Sequence, residues 1–266
     1  DKYGKTFLMR ASSHGKFNIM QNIDGNYQDK YGKTFLMWAS SHGKFNIIKN
    51  LSHCNNINLN LQDINGNTVL MYACNKGHIK IVQYLIKCNN IDLNLQNNMG
   101  NTALSIAYIN NNLNIIKLLL NCNNINLNLY NYKYKNTILH LASYYNNEII
   151  VELLLNHNNI NLNIQNMYNR TPLMYACINN NLLVVKLLCD NNVKVNLQDV
   201  NGNTALIYTC MNNNENIIKE LLMISSYSGK KTIENMFYNS FKLFEPPINI
   251  FNNYSENTKI NMNLHD

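Results

Sequence analysis

Apolar positions in this chain recur on a long period. A Thr stands at residues 6, 34, 68, 102, 137, 171 and 204, at intervals of 28, 34, 34, 35, 34 and 33. Two residues after each Thr comes a Leu, from Leu8 and Leu36 to Leu173 and Leu206. Five after it comes Ala11, Ala39, Ala73, Ala107, Ala142 and Ala176, then Thr209. Thr is a good N-cap, and Leu and Ala three apart put an apolar stripe on one face of a short helix. Thirteen after the Thr the chain turns apolar again, in stretches such as "NIIKNL", "KIVQYL", "NIIKLLL" and "LVVKLL". Their i, i+3, i+4 spacing predicts a second helix. Each unit therefore reads as turn, inner helix, loop, outer helix, and it cannot bury its own apolar face alone.

The glycines punctuate the same period. Gly4, Gly32, Gly66, Gly100 and Gly202 precede the Thr, where positive φ is expected, and Gly15, Gly43 and Gly77 separate the two helices. Residues 1–19 return almost verbatim at 29–47, with Arg10 becoming Trp38. A copy so close is a recent duplication inside a stack, where one more unit lengthens the array without disturbing its neighbours.

Segments such as "DINGNTVLMYACNKGHIKIVQYL" and "NMYNRTPLMYACINNNLLVVKLL" resemble ankyrin repeats, with the pattern D-x-x-G-x-T-P-L-x-x-A-x-x-x-G-x-x-x-V-V-x-x-L-L. The resemblance runs from Asp1 to about Met223 in seven copies. It implies an all-α ankyrin-repeat solenoid of stacked helix-turn-helix units joined by β-hairpin-like loops. Three departures carry expectations of their own. The loop after the outer helix, "CNNINLNLQD" from Cys54, is one residue longer than the family's, with Asn where a turn Gly would stand; Asn tolerates the left-handed region best after Gly. The fifth unit, "NYKYKNTILHLA", carries an extra residue and no turn Gly, which predicts a distorted hairpin. The first unit lacks six residues, which predicts a shortened outer helix.

Seven repeats are thus expected over 1–231. Residues 232–265 read either as a degenerate eighth repeat, since "INMNLHD" overlays "INLNLQD", or as a capping helix ended by Pro246-Pro247 with a tail. On the first reading Asp266 opens a further repeat and the chain is a segment of a longer array.

Composition changes this picture little. Asparagine occupies 58 of 266 positions, and nearly every cation is Lys. That bias reads as an AT-rich coding sequence, in a style similar to ankyrin proteins of large amoeba-infecting DNA viruses and AT-rich protists. No stretch approaches the ~18 apolar residues of a membrane span. Seven cysteines, an odd number scattered along helices, suggest a reducing, intracellular setting in cytoplasm or nucleus.

Candidate chemistry does not converge. Cys54, Cys88 and Cys122 share one repeat position, and Cys74, Cys177 and Cys210 another. Helices pack ~8–10 Å apart, whereas zinc holds each sulfur at ~2.3 Å, so thiols on successive units cannot share an ion. "SHGKF" and "SGKKT" lack the first Gly of a phosphate loop. No nucleophile elbow or H-E-x-x-H spacing occurs. Neither catalysis nor a cofactor or metal is expected.

What remains is surface. The resemblance implies that a partner protein meets hairpin tips and inner-helix ends on the concave face. By position these include Lys2, Tyr3, Lys5, Lys30, Tyr31, Lys33, Tyr134, Tyr168 and Arg170 at the tips, and His14, His42, Lys76, Tyr144 and Tyr145 at the helix ends. The expected protein is a monomeric scaffold. Two alternatives stand beside it: nucleic-acid or acidic-surface binding through the basic N-terminal tips, and a targeting array for a catalytic or adaptor domain outside the segment.

Overall fold

In the computed structural model the described residues are 25–52, 57–191 and 193–227. The first repeat, with Lys2, Tyr3, Lys5 and His14, and the region from 232 onward lie outside them. The chain divides into two compact units. Unit 1 comprises residues 1–138 with 157–160, and unit 2 comprises 139–156 with 161–266.

Unit 1 holds α1 (Phe35–Ser41), α2 (Phe45–Ser52), α3 (Val69–Lys76), α4 (Ile79–Leu85), α5 (Ala103–Ile109) and α6 (Leu113–Leu120). The inner helices α1, α3 and α5 pack in succession, as do the outer helices α2, α4 and α6. Unit 2 holds α7 (Ile138–Tyr144), α8 (Glu148–Leu155), α9 (Pro172–Ile178), α10 (Leu182–Cys189), α11 (Ala205–Met211) and α12 (Glu215–Tyr227). There α9 packs on α11, and α10 lies between α8 and α12. Among the described residues there are no strands, and the hairpin-like loops keep only isolated bridges, Gln28 with Thr34 and Tyr130 with Thr137.

The Thr signature acts as expected. Thr34, Thr68, Thr102, Thr171 and Thr204 each cap an inner helix by accepting from the backbone N–H three residues on. A reciprocal partner normally supplied by Glu or Gln is here Ser105 Oγ, or the sulfur of Met37 and Met174. The Leu and Ala positions behind the cap, Leu36, Ala39, Leu70, Ala73, Leu104, Ala107, Leu173 and Ala176, are buried. Helices of seven or eight residues are too short to stand alone in water, so this packing is what holds them.

The left-handed asparagines are not where the sequence placed them. The described residues of the loops after the outer helices contain none. Four lie instead between the helices, at Asn111, Asn146, Asn180 and Asn213, where earlier units have Gly43 and Gly77, and a fifth, Asn169, takes the tip position of Gly66 and Gly100; their φ runs from 52° to 57°. After α4 the chain turns through the bonds Cys88 N–H to Leu85 O and Ile91 N–H to Cys88 O, with the cap residue Ile86 still right-handed.

Those longer loops make asparagine structural. Asn60 accepts from Asp92 N–H at 2.8 Å and donates to Asn90 O at 2.7 Å, one repeat on. Asn94 repeats both bonds with Asn126 N–H and Asn124 O. Gln62 donates to Gly66 O in its own repeat and to Gln96 O in the next, and Gln96 does the same to Gly100 O and Tyr130 O. In unit 2, Gln165 bonds Asn169 O and Gln198 O. Each Asn amide thus serves two backbone groups of the next repeat, each Gln amide one group in its own repeat and one in the next, and burial alone does not set the register between repeats.

Candidate interaction surface

Each tip begins with an Asp or Asn whose side chain closes the turn. Asp29 accepts from Tyr31 and Lys33 N–H, Asp63 from Asn65 and Asn67, Asn97 from Met99 and Asn101, Asn166 from Tyr168 and Arg170, and Asp199 from Asn201 and Asn203. Asx residues favour this local geometry. Neighbouring tips are then joined backbone to backbone: Ile64 N–H to Tyr31 O, Asn98 N–H to Asn65 O, Tyr132 N–H to Met99 O, and in unit 2 Val200 N–H to Tyr168 O. The approach is close. A Cβ on Gly66, whose φ is +77°, would lie 2.8 Å from backbone atoms of Asn97 and Asn98, so only glycine fits.

The fifth tip absorbs its extra residue. Asn131 N–H bonds Asn136 O across one residue more than elsewhere, Lys135 takes the positive φ (55°), and the Tyr130–Thr137 bridge survives. The predicted distortion is a one-residue enlargement of the turn.

Tip side chains that the Asx residue and Gly leave over point outward. Every described tip exposes a large apolar or aromatic residue: Tyr31, Ile64, Met99, Tyr132, Met167 with Tyr168, and Val200, between 39% and 65% exposed. Ile109, Tyr144 and Met211 do likewise at the inner-helix ends. Sequence reasoning named Tyr31, Met99, Tyr134, Tyr144, Tyr145 and Tyr168 but passed over Ile64, Ile109, Met167, Val200 and Met211. A signal was available, because a bulky apolar residue beside Gly or Asn in a turn has no packing reason to be there.

In unit 1 three lysines are held over rings. The Lys30 ammonium lies 5.0 Å from the Tyr31 centroid, Lys33 lies 5.2 Å from Tyr72, and Lys133 lies 4.8 Å from Tyr134. Tyr72 donates to Asp63 Oδ2 at 2.6 Å, and its hydroxyl is pushed up by burial and by that carboxylate. His42 is exposed but fixed by its own helix, stacked on Trp38 at 4.4 Å with Nδ1 2.9 Å from Trp38 O. The Trp introduced in the second copy therefore supports that imidazole. Lys76 is exposed in the last turn of α3.

In unit 2 Arg170 is the centre. Its guanidinium lies 5.7 Å from the Tyr168 ring and 5.5 Å from Tyr208, and Nε donates to Asp199 Oδ2 at 3.5 Å. Burial raises the Asp199 pKa, but donors from Tyr208, the Asn203 and Asn201 amides and Arg170 outweigh it, and the net shift is downward. Tyr144 meets Tyr145 and Tyr175 edge-on at 4.9 and 5.5 Å, and Tyr175 meets buried His140 at 6.0 Å. Tyr144 therefore stands on the core through Tyr175, and Tyr145 rests on Tyr144.

The thiols have no such geometry. Cys74 and Cys177 are buried, and burial raises both well above the ordinary range; Cys189 is pushed up to about 12 by burial, with Glu220 and Asp190 adding to it. Protonated buried thiols are poor nucleophiles. Among the described residues no group of three or more His, Cys, Asp or Glu could hold a metal ion. No helix among them is long and apolar enough to cross a membrane.

A family profile described as "Ankyrin repeats (3 copies)" matches residues 36–131 and 123–199, and one described as "Ankyrin repeat" matches 201–226. The chain belongs to the ankyrin-repeat family. No curated protein sequence matches it. Among solved structures it is similar to the ankyrin repeat domain of Bcl-3, of the IkappaB protein family, with TM-score 0.72 and 22% identity over 82% of this chain and 98% of that one. A chain from the complex of the predatory endopeptidase Bd0816 of Bdellovibrio bacteriovorus with immunity protein Bd3460 gives 0.59 and 26%, over 74% and 99%. An ankyrin repeat domain from Acinetobacter baumannii gives 0.64 and 25%, over 71% and 96%. Ankyrin repeats generally mediate protein–protein interaction and are typically non-catalytic.

Proposed function

We propose that this protein is a protein-binding scaffold whose partner docks on the tips and inner-helix ends. One observation carries the reading: the described tips are closed by Asx side chains, yet each exposes a large apolar or aromatic residue. Rigid anchors of this kind lose little entropy on binding, and Tyr and Arg dominate interface energetics. The solved complex that includes an endopeptidase and an immunity protein supports protein partnership for a chain of this fold. The contact residues would be Lys30, Tyr31, Lys33, His42, Lys76 and Tyr134 in unit 1 and Tyr144, Tyr145, Tyr168 and Arg170 in unit 2, with the apolar tip residues of each unit beside them. Lys2, Tyr3, Lys5 and His14 hold the same repeat positions in the first copy.

The recurrence of the Thr at intervals of 28 and then 33–35 residues supports seven repeats over 1–231, and the buried free thiols support a reducing, intracellular setting. For the source, composition alone supports an AT-rich genome of the viral or protist kind.

The reading is tested by capture from host lysate after nuclease treatment, read by mass spectrometry. Tip variants Met167→Ser with Tyr168→Ser, and Ile64→Ser with Met99→Ser, are compared with an outer-helix control, Ile149→Ser with Leu183→Ser. A protein set lost with either tip pair and kept by the control is expected. Capture that survives both tip pairs, or disappears with nuclease, overturns it.

A further inference from the structure

The charge of this protein is unevenly spread. The described residues of unit 1 carry ten lysines, three aspartates and neither Arg nor Glu, a net +7 that equals the net charge of the whole chain. Unit 2 from Leu139 to Tyr227 carries four cations against six acids. Of these three described aspartates, Asp29 and Asp63 are spent on turn amides, and Asp63 also on the Tyr72 hydroxyl. In unit 2 Arg170 pairs with Asp199 and Lys219 with Glu215.

Along the tips of unit 1 these cations are not uniform. Lys30 and Lys33 stand on one tip, and Lys133 and Lys135 stand three repeats further on. The two tips between them have no charged side chain pointing out and present Ile64 and Met99. Three repeat steps at ~8–10 Å each separate the lysine pairs by roughly 24–30 Å, which ~7–9 extended residues span.

Building on the scaffold reading, we infer that unit 1 recognises a linear protein segment with acidic residues at both ends of an apolar middle. The acids lie about eight residues apart, and the apolar side chains rest on Ile64 and Met99. Complementary charge at the ends sets register and encounter rate, while the apolar centre supplies retention. A nucleic-acid strand fits less well, because its evenly spaced phosphates would cross two uncharged tips.

The probe is a labelled synthetic peptide with three acids at each end of a spacer of about eight residues carrying Leu and Met. Its comparator has the same composition with the acids gathered in the middle. Fluorescence anisotropy with the full chain should show the patterned peptide binding about tenfold tighter than the comparator, with the gain lost in Lys33→Glu/Lys135→Glu and reduced at high salt. Lys135→Glu keeps an L residue at the same φ, and an unchanged melting curve confirms the fold. Equal binding of the two peptides overturns the inference. So does tighter binding of a single-stranded oligonucleotide of equal charge, or self-association abolished by the same variant. If the peptide fails while lysate capture remains sensitive to the tip pairs, only this inference falls; if capture ignores every tip pair, the scaffold reading falls with it.

Discussion

His140 and Ser143 stand one turn apart on α7 and show how single residues are tuned to a repeat position. His140 is fully buried, bonds Arg170 O at 3.0 Å, and is held down to about 4 by burial. Its folded pKa lies below the ordinary 6.5, so the unfolded chain takes up this proton first. The contribution is complete above about pH 6.5 and drains away as pH falls to about 4, an effect of about 3 kcal/mol. In urea titrations His140→Gln should flatten the fall in unfolding free energy across that window; an unchanged slope would refute the assignment. Ser143 has a different problem. Its hydroxyl is buried and without a hydrogen-bond partner among the described residues, whereas Ser40 at the same repeat position donates to Val69 O at 2.8 Å. Cys74, Cys177 and Cys210 fill this position elsewhere. Ser143→Cys should therefore stabilise the protein by about 1 kcal/mol, seen as a higher urea midpoint at constant slope; a lower midpoint would show that the hydroxyl is satisfied.

At the scale of elements, helix starts were the most legible feature, because Thr-x-Leu states both the cap and the first buried residue. Less legible was which asparagines matter. With 58 in the chain, composition hides position, and the ones that join repeats are recognised only once Asn60 and Asn94 are seen reaching into the next loop. The same abundance misplaced the left-handed residues, since Asn tolerates positive φ wherever the turn demands it, and the longer loops after the outer helices make no such demand. Asn94→Ala would leave Asn126 N–H and Asn124 O without partners at an exposed site. A loss of about 1 kcal/mol is expected, larger than for Asn114→Ala on the exposed face of α6. Equal effects would mean that the amide bridges are incidental. Gly66→Ala tests the tip contact in the same way, with a loss of about 1–2 kcal/mol from the left-handed backbone alone and more from the close approach to Asn97 and Asn98.

For the whole molecule, the repeat architecture was readable in outline from the period, and the chemistry of its surface only in part. Tyrosine and lysine announce an interface by type. Isoleucine, methionine and valine do not: repeat position alone points to Met99, and only exposure at tips whose turns are already closed separates Ile64, Met167 and Val200 from the core. The lysines of unit 1 provide an internal control: Lys30 and Lys33 belong to the tips, whereas Lys80 and Lys117 lie on the outer helices. Acetylation footprinting of the complex with its captured partner tests the central claim most directly. Binding through the tips predicts slowed labelling of Lys30 and Lys33, with Lys80 and Lys117 labelled as in the free protein. Slowed labelling of Lys80 and Lys117 with Lys30 and Lys33 unchanged would place the partner on the outer helices and contradict the claim.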